Sequence, residues 1–170
     1  MPDDFYDRDI LYWAESQADL LRRLGRGEAV NGVDWEHVVE EIEDVGWSEL
    51  HSVQSHLNLM LLHLLKIWLL SESEALGHWR AEVVAYQKNA ARRFTPSMRQ
   101  RIDLGRLYED AIEQLEAGGH TTSPMRKWPV ACPFTLDQLL CDKWAELEHR
   151  LNAAAGQFNS PQAAPPTSPA

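Results

Sequence analysis

Cysteine is scarce in this 170-residue chain, which carries only Cys132 and Cys141. Two cysteines cannot build the disulfide framework of a small secreted domain, and their spacing fits neither a CxxC redox pair nor a zinc knuckle. Signatures of common catalysts are missing too: the sequence has no GxSxG, no P-loop and no GxGxxG, so it offers no ready nucleophile or phosphate cradle. Long apolar runs are absent. The most apolar stretch, Leu57 to Leu70, would cover roughly 21 Å as a helix, short of the roughly 30 Å hydrocarbon core of a bilayer. His63 and Lys66 interrupt it, so it reads as a buried core helix and no membrane partner is expected. The opening MPDDFYDRD has neither the basic nor the apolar part of a secretory leader, and a cytoplasmic location is the expectation. No segment alternates apolar and polar residues in the manner of a strand.

Basic residues are few at the start. The first 50 residues hold 14 acids and 4 bases, a charge of −10 that equals the formal net charge of the whole chain. Such acidity argues against a general nucleic-acid binder, whose affinity rests on neutralising phosphates. Residues 80–106 are the opposite, with seven bases, among them Lys88, Arg92, Arg93, Arg99 and Arg101, against Glu82 and Asp103. The acid-free stretch 88–101 could grip phosphate. The competing expectation is internal: the third helix folded back on the second would bring Arg92 and Arg93 near Glu49, and the turn to the fourth would bring Arg99 and Arg101 towards Glu40, Glu41, Glu43 and Asp44.

What the sequence has in quantity is helical periodicity. At 44% hydrophobic with seven tryptophans, it can furnish a core. The pattern predicts an all-α bundle of about five helices with one long central helix. A first helix spans about Asp7 to Leu24, with Ile10, Trp13, Ala14, Gln17, Leu20, Leu21 and Leu24 on one stripe. The second has apolar positions at 35, 38, 42, 45/46, 50, 53, 57, 60, 64 and 67. That unbroken phase predicts a single helix from Asp34 to Leu70, despite a cost of about 1 kcal/mol for Gly46. A third spans Ala75 to Arg93, and a fourth starts at Thr95-Pro96 and ends at Gly118-Gly119. A capping box of Thr135 and Gln138 starts the last, Leu136 to Leu151. The domain is assigned to residues 1–151. Residues 152–170, without a charge and with four prolines in the final ten, read as a disordered tail.

Length matching yields a further expectation. The second helix runs roughly 57 Å back from Glu72, whereas the third is about 29 Å long. The first half of the long helix therefore needs cover from the first helix, from the C-terminal segment or from a second subunit, and a homodimer is the expectation taken forward. Trp35 and Trp47 lie on that overhang, and tryptophans favour buried interfaces.

Polar residues embedded in the apolar stripe supply the candidates for chemistry. On an ideal wheel Glu41, Glu49, Ser52, His56 and His63 fall within about 60° of the direction of Val38. Buried polar groups must be paired, so the row is either a hydrogen-bonded network or the lining of a pocket. In a pocket, Glu41, Glu49, His56 and His63 would be acid–base candidates. Histidine–carboxylate pairs at helical spacing, such as Asp34/His37 and Glu146/His149, do not assemble the ligand set of a bundle metal site. No metal and no cofactor are expected. Cys132 precedes a proline and a helix start, where a thiol pKa could be lowered.

The residues as a whole resemble a bacterial family known as domain of unknown function 29. The likeness rests on Tyr6, Asp7, Asp9 and Trp13, followed by Gln17 and a Leu-Leu pair, and on Asp34-Trp35 with Glu40, Glu41, Ile42, Glu43 and Gly46. It continues through Ser55, Leu57, His63, Leu64, Leu65, Lys66, Trp68 and Trp79 to Cys132, Pro133, Phe134, Thr135, Gln138, Leu139 and Leu140, and covers about residues 5–145. The resemblance implies an all-helical fold and brings no activity, cofactor or catalytic residue with it. The function most in keeping with these readings is a non-enzymatic helical interaction or adaptor protein forming a homodimer. The alternatives are an enzyme or ligand binder using the polar row, and a phosphate or nucleic-acid binder using 88–101.

Overall fold

Asp34 starts the element that organises the molecule. Its backbone carbonyl accepts the first helical bond, from Val38 N at 3.0 Å, and its carboxylate faces His37 N at 3.5 Å, as an N-cap should. The helix that follows runs without interruption through Gly46. In this computed structural model, which describes residues 5–120 and 127–157, the helices are α1 (Phe5–Arg8), α2 (Ile10–Gly25), α3 (Trp35–Leu69), α4 (Leu76–Arg93), α5 (Leu104–Ala117), α6 (Leu136–Cys141) and α7 (Trp144–Gln157), with a 3-10 segment at Pro96–Arg101. The chain divides into two compact units, Met1–Glu49 and Leu50–Ala170.

The second unit holds the core. The 3.6-residue stripe of α3 supplies Leu50, Val53, Leu57, Met60, Leu64 and Ile67, all nearly inaccessible, as the phase of the sequence predicts. Onto it pack Val83 and Ala90 of α4, Tyr108, Ala111 and Leu115 of α5, Leu139 of α6 and Leu147 and Leu151 of α7. The phenol of buried Tyr108 donates to the Pro129 carbonyl at 3.0 Å, which satisfies its polar end and ties the loop before α6 to α5.

The first unit is different. Its buried side chains among the described residues are Trp13, Gln17 and Val38. Of the stripe predicted for the first helix, Ile10, Ala14 and Leu24 are exposed. Edge-on rings hold α1 to α2, with Tyr6 and Trp13 centroids 4.9 Å apart.

Three boundaries depart from the sequence reading, each for a local reason. The fourth helix begins at Leu104 rather than at Pro96, because Asp103 accepts from Arg106 N at 3.0 Å and caps it there, leaving Pro96–Arg101 as 3-10. The expected last helix is two helices. Its capping box at Thr135 and Gln138 is present, but the Gln87 amide of α4 donates to the carbonyls of Leu139 at 2.8 Å and Asp142 at 2.7 Å. Those carbonyls are drawn to a side chain, and Asp142 adopts an extended conformation. Finally, α7 continues to Gln157 with Leu151 and Ala155 buried. The first six residues of the expected tail are thus helical, and the rest of it, 158–170, lies outside the described residues.

Because Leu57 is fully buried and Val130 is 85% exposed, their truncations should differ sharply. Leu57→Ala should cost about 2–5 kcal/mol in urea unfolding, and Val130→Ala should stay within about 0.5 kcal/mol of the parent.

Candidate functional site

Two polar clusters and one apolar face emerge, and each lies within a single unit. In the first unit a chain of side chains links α1, α2 and α3. The Tyr6 hydroxyl donates to Glu41 Oε1 at 2.8 Å, and the Tyr6 ring stacks on His37 with centroids 3.9 Å apart. His37 Nδ1 lies 2.7 Å from Asp34 Oδ2, and the same oxygen accepts the Trp13 indole N–H at 3.0 Å. Gln17 Oε1 accepts the Asp34 amide at 2.9 Å. Burial alone would raise the Asp34 carboxyl, but hydrogen bonds from His37 and Trp13 outweigh it and hold the group below its ordinary range. It is therefore the acceptor, and Nδ1 of His37 the donor. The hydrogen bond to Asp34 in turn holds the His37 imidazole above its usual range against the opposing effect of burial. The carboxylate of Glu41, accepting the phenolic proton, pushes Tyr6 up to about 12.

The second unit has its own cluster, on α3 and α4. His63 is 7% exposed. Its Nδ1 lies 2.7 Å from the Leu59 carbonyl and its Nε2 2.8 Å from Glu82 Oε2. With an acceptor at each ring nitrogen, a proton must sit between Nε2 and Oε2, whichever atom owns it. His78 Nε2 reaches the same carboxylate oxygen at 3.3 Å. Burial raises the Tyr86 phenol, and the charge of Glu82 and a hydrogen bond to it act in the same direction. The Tyr86 ring lies 5.5 Å from His63 and 6.2 Å from His56, and His56 Nδ1 lies 2.6 Å from the Ser52 carbonyl. Lys66 Nζ stands 5.9 Å from the Trp79 ring centroid.

The polar row foreseen on the long helix is thus divided between the units. His56 and His63 meet at Tyr86 in the second, whereas Glu41 pairs with Tyr6 in the first, where Glu49 also belongs. Sequence reasoning missed Glu82 and Tyr86, the groups that tie the second cluster together. They sit four residues apart on α4 with His78 four before Glu82, an i,i+4 ladder that marks a polar edge without telling which helix it meets.

Other candidates resolve into pairings. Arg99 forms a two-pronged bond to Asp137 at 2.6 and 3.0 Å, so its carboxylate partner comes from the first turn of α6. Arg92 donates to Asn89 at 3.1 Å. Burial pushes the Cys132 thiol up, as suits a packed thiol rather than one activated by a nearby helix start. An open groove of about 770 Å³ lies between α3 and α5, where Asn58 donates to the Leu107 carbonyl at 3.2 Å and accepts from Gln114 at 3.0 Å. Among the described residues, no group of three or more His, Cys, Asp or Glu is placed to hold a metal. No helix among them is long and apolar enough to cross a membrane.

Exposed apolar side chains are concentrated on the first unit. Of eleven large exposed hydrophobic side chains among the described residues, ten lie there: Phe5, Ile10, Leu11, Tyr12, Leu24, Trp35, Val39, Ile42, Val45 and Trp47. On α3, Ile42 to Ser48 are exposed without exception.

Fold and clusters together define an all-helical domain built on one long helix, with histidine–carboxylate networks on that helix and an uncovered apolar face. The chain belongs to the family described as Domain of unknown function DUF29, whose model matches residues 5–145. It is similar to a solved alpha-helical protein of unknown function from Rhodospirillum rubrum, at 29% identity and a TM-score of 0.65, over 86% of this chain and 96% of that one. No curated protein matches it.

The Asp34–His37 pair gives a pH dependence with a definite sign. A raised His37 pKa contributes stability that is present below about 6.5 and is lost as pH rises through the folded value. A lowered Asp34 pKa contributes stability present above about 3.9 and lost as pH falls through the folded value. The pair should therefore stabilise most between the two ranges. In an NMR titration, His37 should titrate above free histidine, and Asp34→Asn should return it to the ordinary range.

Proposed function

We propose that this protein is a cytoplasmic, non-enzymatic interaction protein that works as a homodimer, and that the apolar face of its first unit is the contact surface. The observation that carries this reading is the concentration of exposed large hydrophobic side chains in the first 49 residues. A monomer seldom exposes an apolar patch above a few hundred Å² unless the patch binds something. A half-exposed aromatic leaves on the order of 100 Å² uncovered, and Phe5, Tyr12, Trp35 and Trp47 are each 45–56% exposed. These side chains do not share one face, since Ile10, Leu11 and Tyr12 are consecutive on α2 and Trp47 lies about 140° from Ile42 on α3; the line of Trp35, Val39 and Ile42 supplies the contiguous part of the contact.

A second copy is the favoured occupant. Outside the first unit, Val130 is the one large hydrophobic among the described residues that is exposed, so the apolar complement comes most simply from another first unit, in the self-complementary manner of a two-fold interface. The pairing of both His63 ring nitrogens, with the Leu59 carbonyl and Glu82, and of His56 Nδ1 with the Ser52 carbonyl supports interaction over catalysis. The free thiols of Cys132 and Cys141 suit a reducing compartment.

Two copies of a segment with 14 acids and 4 bases repel each other, so association through apolar contact has an unusual salt signature. In sedimentation equilibrium the dimer should tighten as salt is raised and screens that repulsion. Ile42→Glu should leave the chain monomeric at concentrations where the parent is dimeric. A parent chain that stays monomeric at high micromolar concentration in high salt would rule out the homodimer.

A further inference from the structure

Gly46 lies in the interior of α3, where glycine weakens a helix relative to alanine. Two ordinary reasons for a glycine fail at this position. The backbone does not require it, because the glycines with positive φ are Gly27, Gly32 and Gly119. Packing among the described residues does not require it either, because a Cβ built on Gly46 meets none of their atoms within 4 Å.

Its place on the helix suggests another reason. At 100° per residue, Trp35, Val39, Ile42 and Gly46 fall within roughly 60° of one another. Gly46 therefore lies on the line of the exposed apolar stripe, in a stretch where Ile42 to Ser48 are all exposed. Glu36 and Glu43 flank one side of the stripe, where their charges can stay in water at the rim of a contact. The distance between two packed helices is set by the side chains at their crossing point, and a residue without a side chain there allows the closest approach.

We propose that Gly46 is the crossing point of the dimer, the place where α3 of a second copy packs on α3 across a two-fold axis. The inference rests on the homodimer reading above and adds the partner element, its register and the residue that sets the spacing. The apolar side chains N-terminal to the crossing, Trp35, Val39 and Ile42, then form the ridge that each copy presents to the other. A second copy suits this face because a two-fold axis there sets Gly46 against Gly46 of the partner, the closest approach that two copies of this stripe can make.

The test compares Gly46→Ala, Gly46→Met and Ile42→Glu by sedimentation equilibrium, with helix content and Tm read by circular dichroism. In the monomeric Ile42→Glu background, Gly46→Ala should raise helix content or Tm, since no neighbour within the chain opposes the new methyl. In the parent chain, Gly46→Met should weaken the dimer roughly ten- to a hundredfold by overpacking the crossing, with Gly46→Ala intermediate. Gly77→Ala, at an exposed helical glycine of the second unit that also has open space, should leave the dimer constant unchanged. If Gly46→Met dimerises like the parent while Ile42→Glu does not dimerise, the crossing at Gly46 is wrong and the dimer face stands. If Ile42→Glu dimerises like the parent, the face itself is wrong. A fall in Tm for Gly46→Ala in the monomeric background would also overturn the inference, by showing that packing within the chain explains the glycine.

Discussion

A helix with an apolar stripe must bury that stripe, and α3 meets the requirement over only part of its length. From Leu50 to Trp68 the stripe is sealed by α4, α5, α6 and α7. From Trp35 to Val45 the phase is unchanged, yet Val38 is the buried member and its apolar neighbours face outwards. Periodicity expresses where a helix is sticky. It does not express what will stick to it, and the difference between the two halves of α3 is the most informative property of the molecule.

This distinction also explains what could be read from the sequence. The long helix, its continuity through Gly46 and the core positions from Leu50 onwards were legible because a period of 3.6 is a local signal. The capping box at Thr135 was legible for the same reason. What escaped were events that depend on a distant partner. The break between α6 and α7 depends on Gln87, more than 50 residues away in sequence. The acidic partner of Arg99 is Asp137, a residue that no charge count in the first 50 positions could suggest. The exposed face of the first helix is a similar case, since Ile10 and Leu24 carry the right spacing and lack a covering element.

The candidate site was legible as a set of residue types and not as an arrangement. His56 and His63 were recognised as inward-facing, and they do share a neighbour, but that neighbour is Tyr86 on another helix and the anchoring charge is Glu82. Glu41 turned out to belong with Tyr6, a residue ahead of the first long element. Hydrogen bonds of this kind satisfy groups that would otherwise be costly to bury. A sequence reveals the need for such partners more readily than their identity.

The unequal burial of the two units has a consequence for how the chain opens. Amide exchange in a native protein proceeds through cooperative segments whose opening free energies follow their buried contacts. The first unit, with Trp13, Gln17 and Val38 inside, has little to lose on opening beyond its Tyr6, His37 and Asp34 links. The second unit surrenders an entire core. The chain is therefore expected to open as two foldons, with amides along the single helix α3 exchanging differently on either side of Glu49. Any partner that covers the first unit would raise the protection of the weaker foldon towards that of the stronger, so the binding event would be recorded in the exchange rates of a helix that is already formed.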